Sequence, residues 1–293
     1  MIIPLTKKIS MLEAPNRSKY PYCNCLYIND ERKAVIDNSC GKENLDYLLS
    51  QNIEVVINSH FHEDHIVNNP CFPEAEVWAH RLDAPAIRSL EVFQDYYGFS
   101  DLEQKQMALG FIEAIGLQES KVHREYEDGD IFDFGTVRFR VILTAGHTPG
   151  HCCFYEEKEG LLFSADIDLS KFGPWYGHNC SNLDDFIVSI KKCMEIKPSI
   201  IVSSHNKIIK DNIPAAFQKY LEVIFHKEEI VRNCLQRPST LEELAEKQIF
   251  YGDRTSLDHP FFKLSEKMAI HQHLLRLLRM NEIQRSGDVY YLR

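Results

Sequence analysis

The stretch that follows the apolar run Val55-Val56-Ile57 constrains the fold of this chain more than any other. Within residues 60–65 it carries three histidines and two carboxylates. Polar and charged groups that cluster beside a core segment have to be paired, hydrogen-bonded or bound to a metal, because burying them alone is costly. The fold therefore has to end a buried strand at a place where such groups find partners.

The spacing of the histidines divides this stretch into two sets of side chains. In an extended segment side chains alternate, so His60 and His62 lie on one side and Phe61 on the other. Two imidazoles on one side can bind a single ion. Asp64 and His65 follow where the chain has to turn, and they can face a second ion beside the first.

Three further residues of metal-ligand type stand at the ends of apolar runs. His147 follows "RVILTAG", Asp166 follows "LLFSA" and His205 follows "IIVSS". In a layered α/β fold, neighbouring strand ends meet at one edge of a sheet, where sites are commonly built. We therefore expect these three side chains to join the histidine-rich stretch in one site. His151, in contrast, is expected to hydrogen-bond within its loop.

The order of apolar segments predicts the α/β class. Short β-rich runs near residues 25–28, 34–36, 54–58 and 75–79 are separated by turn residues. Between the second and the third, "GKENLDYLLSQN" has the spacing of one helical face. Residues 81–120 are predicted to form a helical insertion, after which strands return.

The chain after residue 212 is predicted to form a separate module. "RPSTLEELAEKQIF" opens a helix capped by Ser239 or Thr240, and a Leu-rich helix then precedes two short strands around Gly287. A helix followed by a small hairpin is the pattern of a winged helix. The predicted domains are residues 1–212 and 213–293, and the second is expected to pack, to form a homodimer or to bind nucleic acid.

Composition excludes several classes of protein. With 293 residues, 44% of them apolar, the chain can bury a large core. Nine cysteines without a Cys-x-x-Cys pair fit reduced thiols better than a disulfide framework. The net charge of −10 argues against tight binding to phosphate backbones. Without a leader-like start or a window of ~18 apolar residues, we expect a cytoplasmic protein that does not bind membranes.

The histidine-rich stretch resembles the metal-binding motif of a known family. His60-Phe61-His62-Glu63-Asp64-His65 matches the His-x-His-x-Asp-His motif of metallo-β-lactamase-fold hydrolases. "GHTPGH", "SAD" and "SSH" are similar to the family's later metal-ligand segments, in the right order. The resemblance covers roughly residues 24–205 and implies a four-layer αββα sandwich with a C-terminal helical module. Asp166 stands where many true β-lactamases have Cys. In having Asp at this position, the chain resembles the glyoxalase II branch.

The resemblance also implies ligands for two divalent ions. One ion would be bound by His60, His62 and His147, the other by Asp64, His65 and His205, with Asp166 bridging both. Asp37, in "AVID", would support the ligands without binding metal. All seven donors are nitrogen or oxygen, which suits Zn, Fe or Mn. Zinc is our first expectation and iron its rival.

Such a pair of ions predicts a hydrolase. Two ions that share a water lower its pKa from ~15.7 towards ~7 and so supply hydroxide at neutral pH. The expected substrate is a small ester, thioester, lactone or phosphodiester. The catalytic candidates are Asp64, to orient the nucleophile and pass on a proton, His178, to donate to the oxyanion, and Tyr176, in an aromatic pocket wall.

The sequence is compatible with two alternative functions. Some family members with a similar helical tail are nucleases, and a winged helix can dock on a groove, so a metal-dependent endoribonuclease is one. The acidic surplus of the first domain disfavours it, unless Arg276 and Arg279 begin a basic track that leads to the metals. A di-iron redox protein is the other, and the chain after His205 shows no flavin-binding loop.

Overall fold

Two β-sheets packed face to face form the centre of the protein. The computed structural model describes residues 1–99, 102–252 and 260–293. The first sheet contains, side by side in chain order, β1 (Ile2–Pro4), β2 (Ile9–Leu12), β3 (Cys25–Asn29), β4 (Lys33–Ile36), β5 (Val55–Asn58), β6 (Glu76–His80) and β7 (Arg124–Tyr126). The second contains, likewise adjacent, β8 (Ile131–Asp133), β9 (Arg138–Leu143), β10 (Cys152–Glu156), β11 (Leu161–Phe163) and β12 (Ile200–Val202).

Strand direction brings several strand ends to one edge. In the first sheet β4, β5, β6 and β7 run parallel. In the second sheet β10 is antiparallel to both β9 and β11, and β12 is parallel to β11. Strands β9, β11 and β12 therefore run in the same direction, and the loops after them, which carry three predicted ligands, leave the sheet at the same edge.

The side-chain alternation of β5 shows how the layers form. Val55 and Ile57 face the space between the sheets, where they belong to the same buried cluster as Phe154 and Phe163 of the second sheet. Val56 faces the opposite way and packs in a cluster with Leu48 of the outer helix. All four residues of β5 are buried because this strand has a neighbouring layer on each face.

Helices cover both outer faces. α1 (Lys42–Leu49) covers the first sheet, and its Leu48 packs against that sheet's outward side chains. α6 (Leu183–Ile196) and α7 (Ile213–Cys234) cover the second sheet, packing with its outward residues such as Ile142 and Leu162. The order helix, sheet, sheet, helix confirms the predicted four-layer α/β sandwich.

Short helices and turns connect the layers. α2 (Glu63–Ile66) directly follows the loop after β5, and a 3-10 turn at Asn69–Cys71 comes next. The predicted insertion between β6 and β7 contains α3 (Ala84–Arg88), α4 (Leu90–Tyr97) and α5 (Leu102–Ile115). Its aromatic residues Phe93, Tyr97 and Phe99 are buried in one cluster with Phe61, so the insertion packs directly against the histidine-rich stretch.

The C-terminal region follows the predicted order of helices and strands. After α7 come β13 (Ser239–Thr240), α8 (Leu241–Ala245), α9 (Pro260–Arg279), β14 (Ile283–Ser286) and β15 (Val289–Leu292). The strands form a three-stranded sheet in the order β13-β15-β14. Thr240 caps α8 in a reciprocal capping box with Glu243. The assignment as a winged helix remains a prediction.

Helix α7 connects the two predicted domains. Its first half packs on the second sheet through Phe217 and Ile224, whereas Val231 belongs to the C-terminal cluster. The division between residues 212 and 213 remains a prediction. Although α7 begins after that point, it packs in the hydrophobic clusters of both predicted domains. Among the residues that the structure describes, no helix has both the length and the apolar composition that a membrane span requires.

Candidate metal centre

A first ligand group consists of His60, His62 and His147. Nδ1 of His62 lies 2.9 Å from Nε2 of His60 and 3.0 Å from Nε2 of His147. The extended segment after β5 puts the first two imidazoles on one side, and the loop after β9 adds the third. Three ring nitrogens therefore converge, as they would around one cation.

A second ligand group consists of Asp64, His65 and His205. Oδ1 of Asp64 lies 3.7 Å from Nε2 of His65, and its Oδ2 lies 3.4 Å from Nε2 of His205. Asp64 and His65 lie in the one-turn helix α2, which begins directly after His62. The predicted turn of the chain thus separates these two side chains from the first ligand group.

Asp166, in the loop after β11, lies between the two groups. Its Oδ2 is 3.2 Å from Nε2 of His147. Its Oδ1 is 3.2 Å from Nε2 of His65 and 3.4 Å from Nε2 of His205. One carboxylate therefore faces both ligand groups with different oxygens, which is the position of a bridging ligand.

Two buried atoms of this cluster fit a cation better than a hydrogen-bond donor. Within the described parts of the chain, Nε2 of His65 and Oδ1 of Asp166 are buried and have no hydrogen-bond partner. When His65 is neutral both atoms present lone pairs, and a cation between them would satisfy both. The candidate ligand atoms of each group lie within 4.8 Å of one another. The donor set therefore fits a pair of divalent ions.

Backbone carbonyls fix two of the imidazoles. Nδ1 of His147 lies 2.8 Å from the carbonyl oxygen of Trp175, and Nδ1 of His205 lies 2.8 Å from that of Ser18. A carbonyl oxygen only accepts, so Nδ1 of each ring carries the proton. When the ring is neutral, Nε2 then has its lone pair facing Asp166, which is the tautomer that metal binding requires.

Asp37 orients one histidine of each group. Its carboxylate accepts from the backbone N–H and the hydroxyl of Ser59, both at 2.8 Å, and lies 2.8 Å from Nδ1 of His65. The Ser59 hydroxyl is also 3.0 Å from Nδ1 of His60. The buried aspartate lies where the resemblance placed it, beside the ligands rather than among them.

The two groups differ in the protonation of their histidines when no metal is bound. Burial lowers the pKa of His60 and the pKa of His62 well below the usual value. Burial acts in the same direction on His65 and His205, but the neighbouring carboxylates, Asp166 and Asp64 among them, together outweigh it. The pKa of His65 is therefore raised well above its usual value, and the pKa of His205 is raised to about 10.

The two other catalytic candidates lie in different surroundings. Nε2 of His178 contacts Nε2 of His62, and its Nδ1 lies 2.7 Å from the hydroxyl of Ser181. The hydroxyl of Tyr176 lies 2.9 Å from Nε2 of His273 in α9. His178 thus lies at the site as a partner of a ligand-group histidine. A catalytic role of Tyr176 stays a prediction, and its bond to the C-terminal region disfavours that role.

Trp175, rather than Tyr176, brings the predicted aromatic loop to the site. Its ring centroid lies 5.5 Å from that of His62 and 5.7 Å from that of His147. Its indole N–H donates to the hydroxyl of Tyr251, at 2.7 Å. The C-terminal region therefore reaches the first ligand group through one intervening side chain.

Sequence reasoning missed Asp83, which ties two ligand-bearing loops together. Its buried carboxylate accepts from the backbone N–H of Phe61 at 3.1 Å, from the hydroxyl of Thr148 at 2.6 Å and from the N–H of Gly150 at 2.6 Å. A Cβ at Gly150 would lie 2.6 Å from the same carboxylate, so this close approach requires glycine. In the sequence, Asp83 before Ala-Pro is typical of a helix start and gives no other signal.

His151 holds its loop, as expected. Its Nδ1 lies 2.8 Å from the hydroxyl of Thr144, and its Nε2 accepts from the backbone N–H of Asp166 at 3.1 Å. Because Nε2 of His151 accepts that bond, the imidazole positions the bridging carboxylate from behind and takes no place among the ligands.

The arginines named for a nucleic-acid track are paired within the molecule. Arg279 Nη2 lies 2.6 Å from Oδ2 of Asp184, and Arg276 Nη1 lies 3.2 Å from Oε1 of Glu228. These carboxylates offset the positive charge that a phosphate backbone would require. The two arginines join the C-terminal helix to α6 and α7.

Known proteins resemble this chain in sequence. Residues 20–205, more than half of the chain, match the family model described as the metallo-beta-lactamase superfamily. An uncharacterized protein of Aquifex aeolicus (strain VF5) is 34% identical over 98 residues, which cover 32% of this chain and 45% of that protein. A hydroxyacylglutathione hydrolase of Francisella philomiragia is 28% identical over 156 residues, 52% of this chain and 48% of that protein. The chain thus spans less than half the length of either relative.

Solved structures resemble it over nearly its whole length. A metallo-beta-lactamase family protein from Thermus thermophilus has a TM-score of 0.78 at 21% identity, covering 99% of this chain and 100% of that one. A beta-lactamase domain protein from Burkholderia ambifaria has a TM-score of 0.76 at 17% identity, covering 100% and 94%. These likenesses show the fold, and the family match spans every residue of both ligand groups. The chain belongs to the metallo-beta-lactamase superfamily.

Proposed function

We propose that this chain is a metal-dependent hydrolase that works with two divalent ions, zinc in the first place and iron or manganese as rivals. The Asp166 carboxylate carries the proposal, because it faces both ligand groups and its buried Oδ1 has no hydrogen-bond partner within the described residues. One ion would be held by His60, His62 and His147, the other by Asp64, His65 and His205, with Asp166 between them.

The residues around the ligands have distinct tasks in this proposal. When bound, the two ions would polarise the substrate and make hydroxide available at neutral pH. Asp64, whose side chain is 7% exposed, would orient the nucleophile and pass a proton to the leaving group. His178 would orient the His62 ring rather than donate to an oxyanion, because its Nε2 already contacts that ring. The Trp175 ring would exclude water beside the first ligand group.

A small thioester is the first substrate to test. Relatives from Francisella philomiragia and from Chelativorans sp. (strain BNC1) are named hydroxyacylglutathione hydrolase, and that name denotes a thioester substrate. Small esters, lactones and phosphodiesters suit the same chemistry. The predicted homodimer and the cytoplasmic location remain part of this proposal and rest on the sequence.

Elemental analysis followed by a substrate panel tests the proposal. Protein purified without added metal is expected to retain about two ions per chain, as two-metal hydrolases do. It should hydrolyse at least one member of a panel of thioesters, esters, lactones and phosphodiesters. Removal of the metal should abolish that hydrolysis, and zinc should restore it. Full turnover by metal-free protein would contradict the proposal, as would failure to bind zinc, iron or manganese.

A further inference from the structure

Asn24, in the segment before β3, uses the full hydrogen-bonding capacity of its side chain. It is 1% exposed. Its amide donates to the carbonyl oxygens of Ser203 and Asn206, both at 2.9 Å. Its Oδ1 accepts from the backbone N–H of Ala14 at 3.1 Å and from the hydroxyl of Ser18. Two donors and two acceptors are all that a carboxamide offers, so the side chain is saturated.

These bonds enclose His205 on both sides along the chain. Asn24 binds the carbonyls of Ser203 and Asn206 through its amide, and its backbone N–H donates to the carbonyl of Ser204 at 2.8 Å. The residues immediately before and after the histidine are therefore fixed to one buried residue. The Cα position of His205 follows from that grip.

The same asparagine also fixes the ring of His205. Oδ1 of Asn24 holds the hydroxyl of Ser18, and the carbonyl of Ser18 accepts from Nδ1 of His205 at 2.8 Å. The Asn24 side chain thus fixes both the backbone position of His205 and the orientation of its imidazole.

The turn that presents Ser18 is strained. Asn16, Arg17 and Ser18 have φ values of 54°, 57° and 56°, a run of left-handed residues without glycine. The left-handed conformation brings the Cβ of an L-residue too close to the following carbonyl oxygen and is therefore unfavourable. Such conformations persist only where the surroundings hold them, and they are common at functional sites. The bond from Ser18 to Asn24 is one of the contacts that hold this turn.

We infer that Asn24 is a positioning residue for one of the two ions, the one held by Asp64, His65 and His205. This inference rests on the proposed dinuclear site. It predicts a selective effect, because no side-chain hydrogen bond of Asn24 reaches the first ligand group. Loss of a partner behind a metal ligand typically lowers metal affinity by ~10–100-fold, and the loss should fall on one ion alone.

Asn24→Asp tests the inference with little change in size. The substitution removes both donated hydrogen bonds and sets a carboxylate against two carbonyl oxygens. Zinc binding to metal-free protein is measured by competition with a chromophoric chelator, and ions per chain are counted after dialysis. Wild type is expected to bind two ions. Asn24→Asp should bind one with unchanged affinity and the other ~10–100-fold more weakly.

Asn44→Asp is the matched control. Asn44 is also buried, at 7% exposure, and its amide also donates to two carbonyls, those of Glu13 and Cys40, at 2.9 and 3.0 Å. Asn44→Asp therefore removes two donated hydrogen bonds of the same kind, but at a residue whose side chain bonds to neither ligand group. Asn44→Asp should therefore bind both ions as wild type does, even if its melting temperature falls.

Ser18→Ala decides the question if Asn24→Asp does not fold. It removes only the hydroxyl bond to Asn24 and should weaken the same single ion to a smaller degree. Two unchanged affinities in the folded variants would overturn the inference while wild type still bound two ions. Equal weakening of both ions would also overturn it. A wild-type protein that binds fewer than two ions would instead contradict the proposed function.

Discussion

The two ligand groups share Asp166 but differ in donor type and in access to solvent. The first group has only imidazoles of its own, and the side chain of His147 is 1% exposed. The second group includes the carboxylate of Asp64, and the side chain of His205 is 18% exposed. One ion would therefore lie in a closed, nitrogen-rich pocket and the other at the solvent side. We expect the two ions to differ in affinity and in exchange rate.

The supporting contacts differ in the same way. The first group is backed by His178 and by Trp175, whose indole is bonded to the C-terminal region. The second is backed by the strained turn that ends at Ser18 and by Asp37, which contacts His65 directly and reaches His60 of the first group only through Ser59. Two distant parts of the chain, the C-terminal region and the N-terminal turn, thus each reach one half of the site.

The largest effect is expected from Asp166→Asn, which removes the one ligand that both groups share. The amide lacks the negative charge that faces His65 and His147, so both ions should be lost together. The loss of hydrolysis should exceed the ~10–100-fold that follows loss of an outer partner. Elemental analysis and turnover numbers measure the two effects.

Asp185→Asn is a suitable control for that variant, because Asp185 is exposed in the first turn of α6. The same change there should leave the metal content at the wild-type value. An Asp166→Asn protein with one tightly bound ion would mean that the halves of the site are independent.

The next largest effect is expected from variants that leave only one ligand group intact. His147→Ala should retain the ion of the second ligand group, and His205→Ala should retain that of the first. A chelator should remove the single ion faster from His147→Ala, because the second group is the more exposed. Stopped-flow chelation with a metal indicator measures both rates. Identical rates of metal removal from the two variants would contradict the proposed difference in solvent access between the groups.

A smaller but specific effect is expected in the number of protons that each ligand group releases when it binds metal. Without metal at pH 7, His65 and His205 carry protons, since Asp166 raises the pKa of each, that of His205 to about 10. Burial keeps His60 and His62 neutral by lowering the pKa of each. Metal binds the neutral ring, so filling the second group should release about two protons and filling the first should release fewer.

The sign of the pH dependence follows from the same shifts. As the pH rises through about 10, His205 loses its proton in the metal-free protein, so the apparent affinity of the second group should increase up to that pH. Calorimetry in buffers of different ionisation enthalpy counts the protons. His147→Ala and His205→Ala isolate the two groups, and equal proton release from both would contradict the assignment.

The smallest effect is expected from Tyr251→Phe. It removes the acceptor of the Trp175 indole, a hydrogen bond of ~1 kcal/mol, which corresponds to ~5-fold in affinity. The change should weaken only the ion of the first ligand group, since the carbonyl of Trp175 holds His147. Tyr291→Phe, in the C-terminal hairpin, is the control. Zinc titration should detect no change in the control.

The sequence was sufficient for the order of the layers and for the gathering of the ligand residues. His147, Asp166 and His205 each follow an apolar run that has to be buried. A polar residue of metal-ligand type at the end of such a run departs from the apolar pattern, so the three positions could be recognised in the sequence. The strands β1 and β2 were not predicted. β1 has three residues, one of them Pro4, and offers too short a pattern to recognise.

The supporting contacts could not be predicted in the same way. Asn24 and Asn206 are 182 residues apart, and no local pattern pairs them. The acceptors for His147 and His205 are backbone carbonyls, which any residue type supplies. In the aromatic loop, the sequence could not distinguish Trp175 from its neighbour Tyr176, because loops lack the periodicity that assigns faces to strands and helices.

Anomalous X-ray diffraction from crystals of the zinc-loaded protein, recorded at the zinc absorption edge, tests the central claim most directly. We predict two peaks about 3.5–4 Å apart. One should lie among His60, His62 and His147, and the other among Asp64, His65 and His205, with the Asp166 carboxylate between them. A single peak, or peaks away from Asp166, would contradict the account.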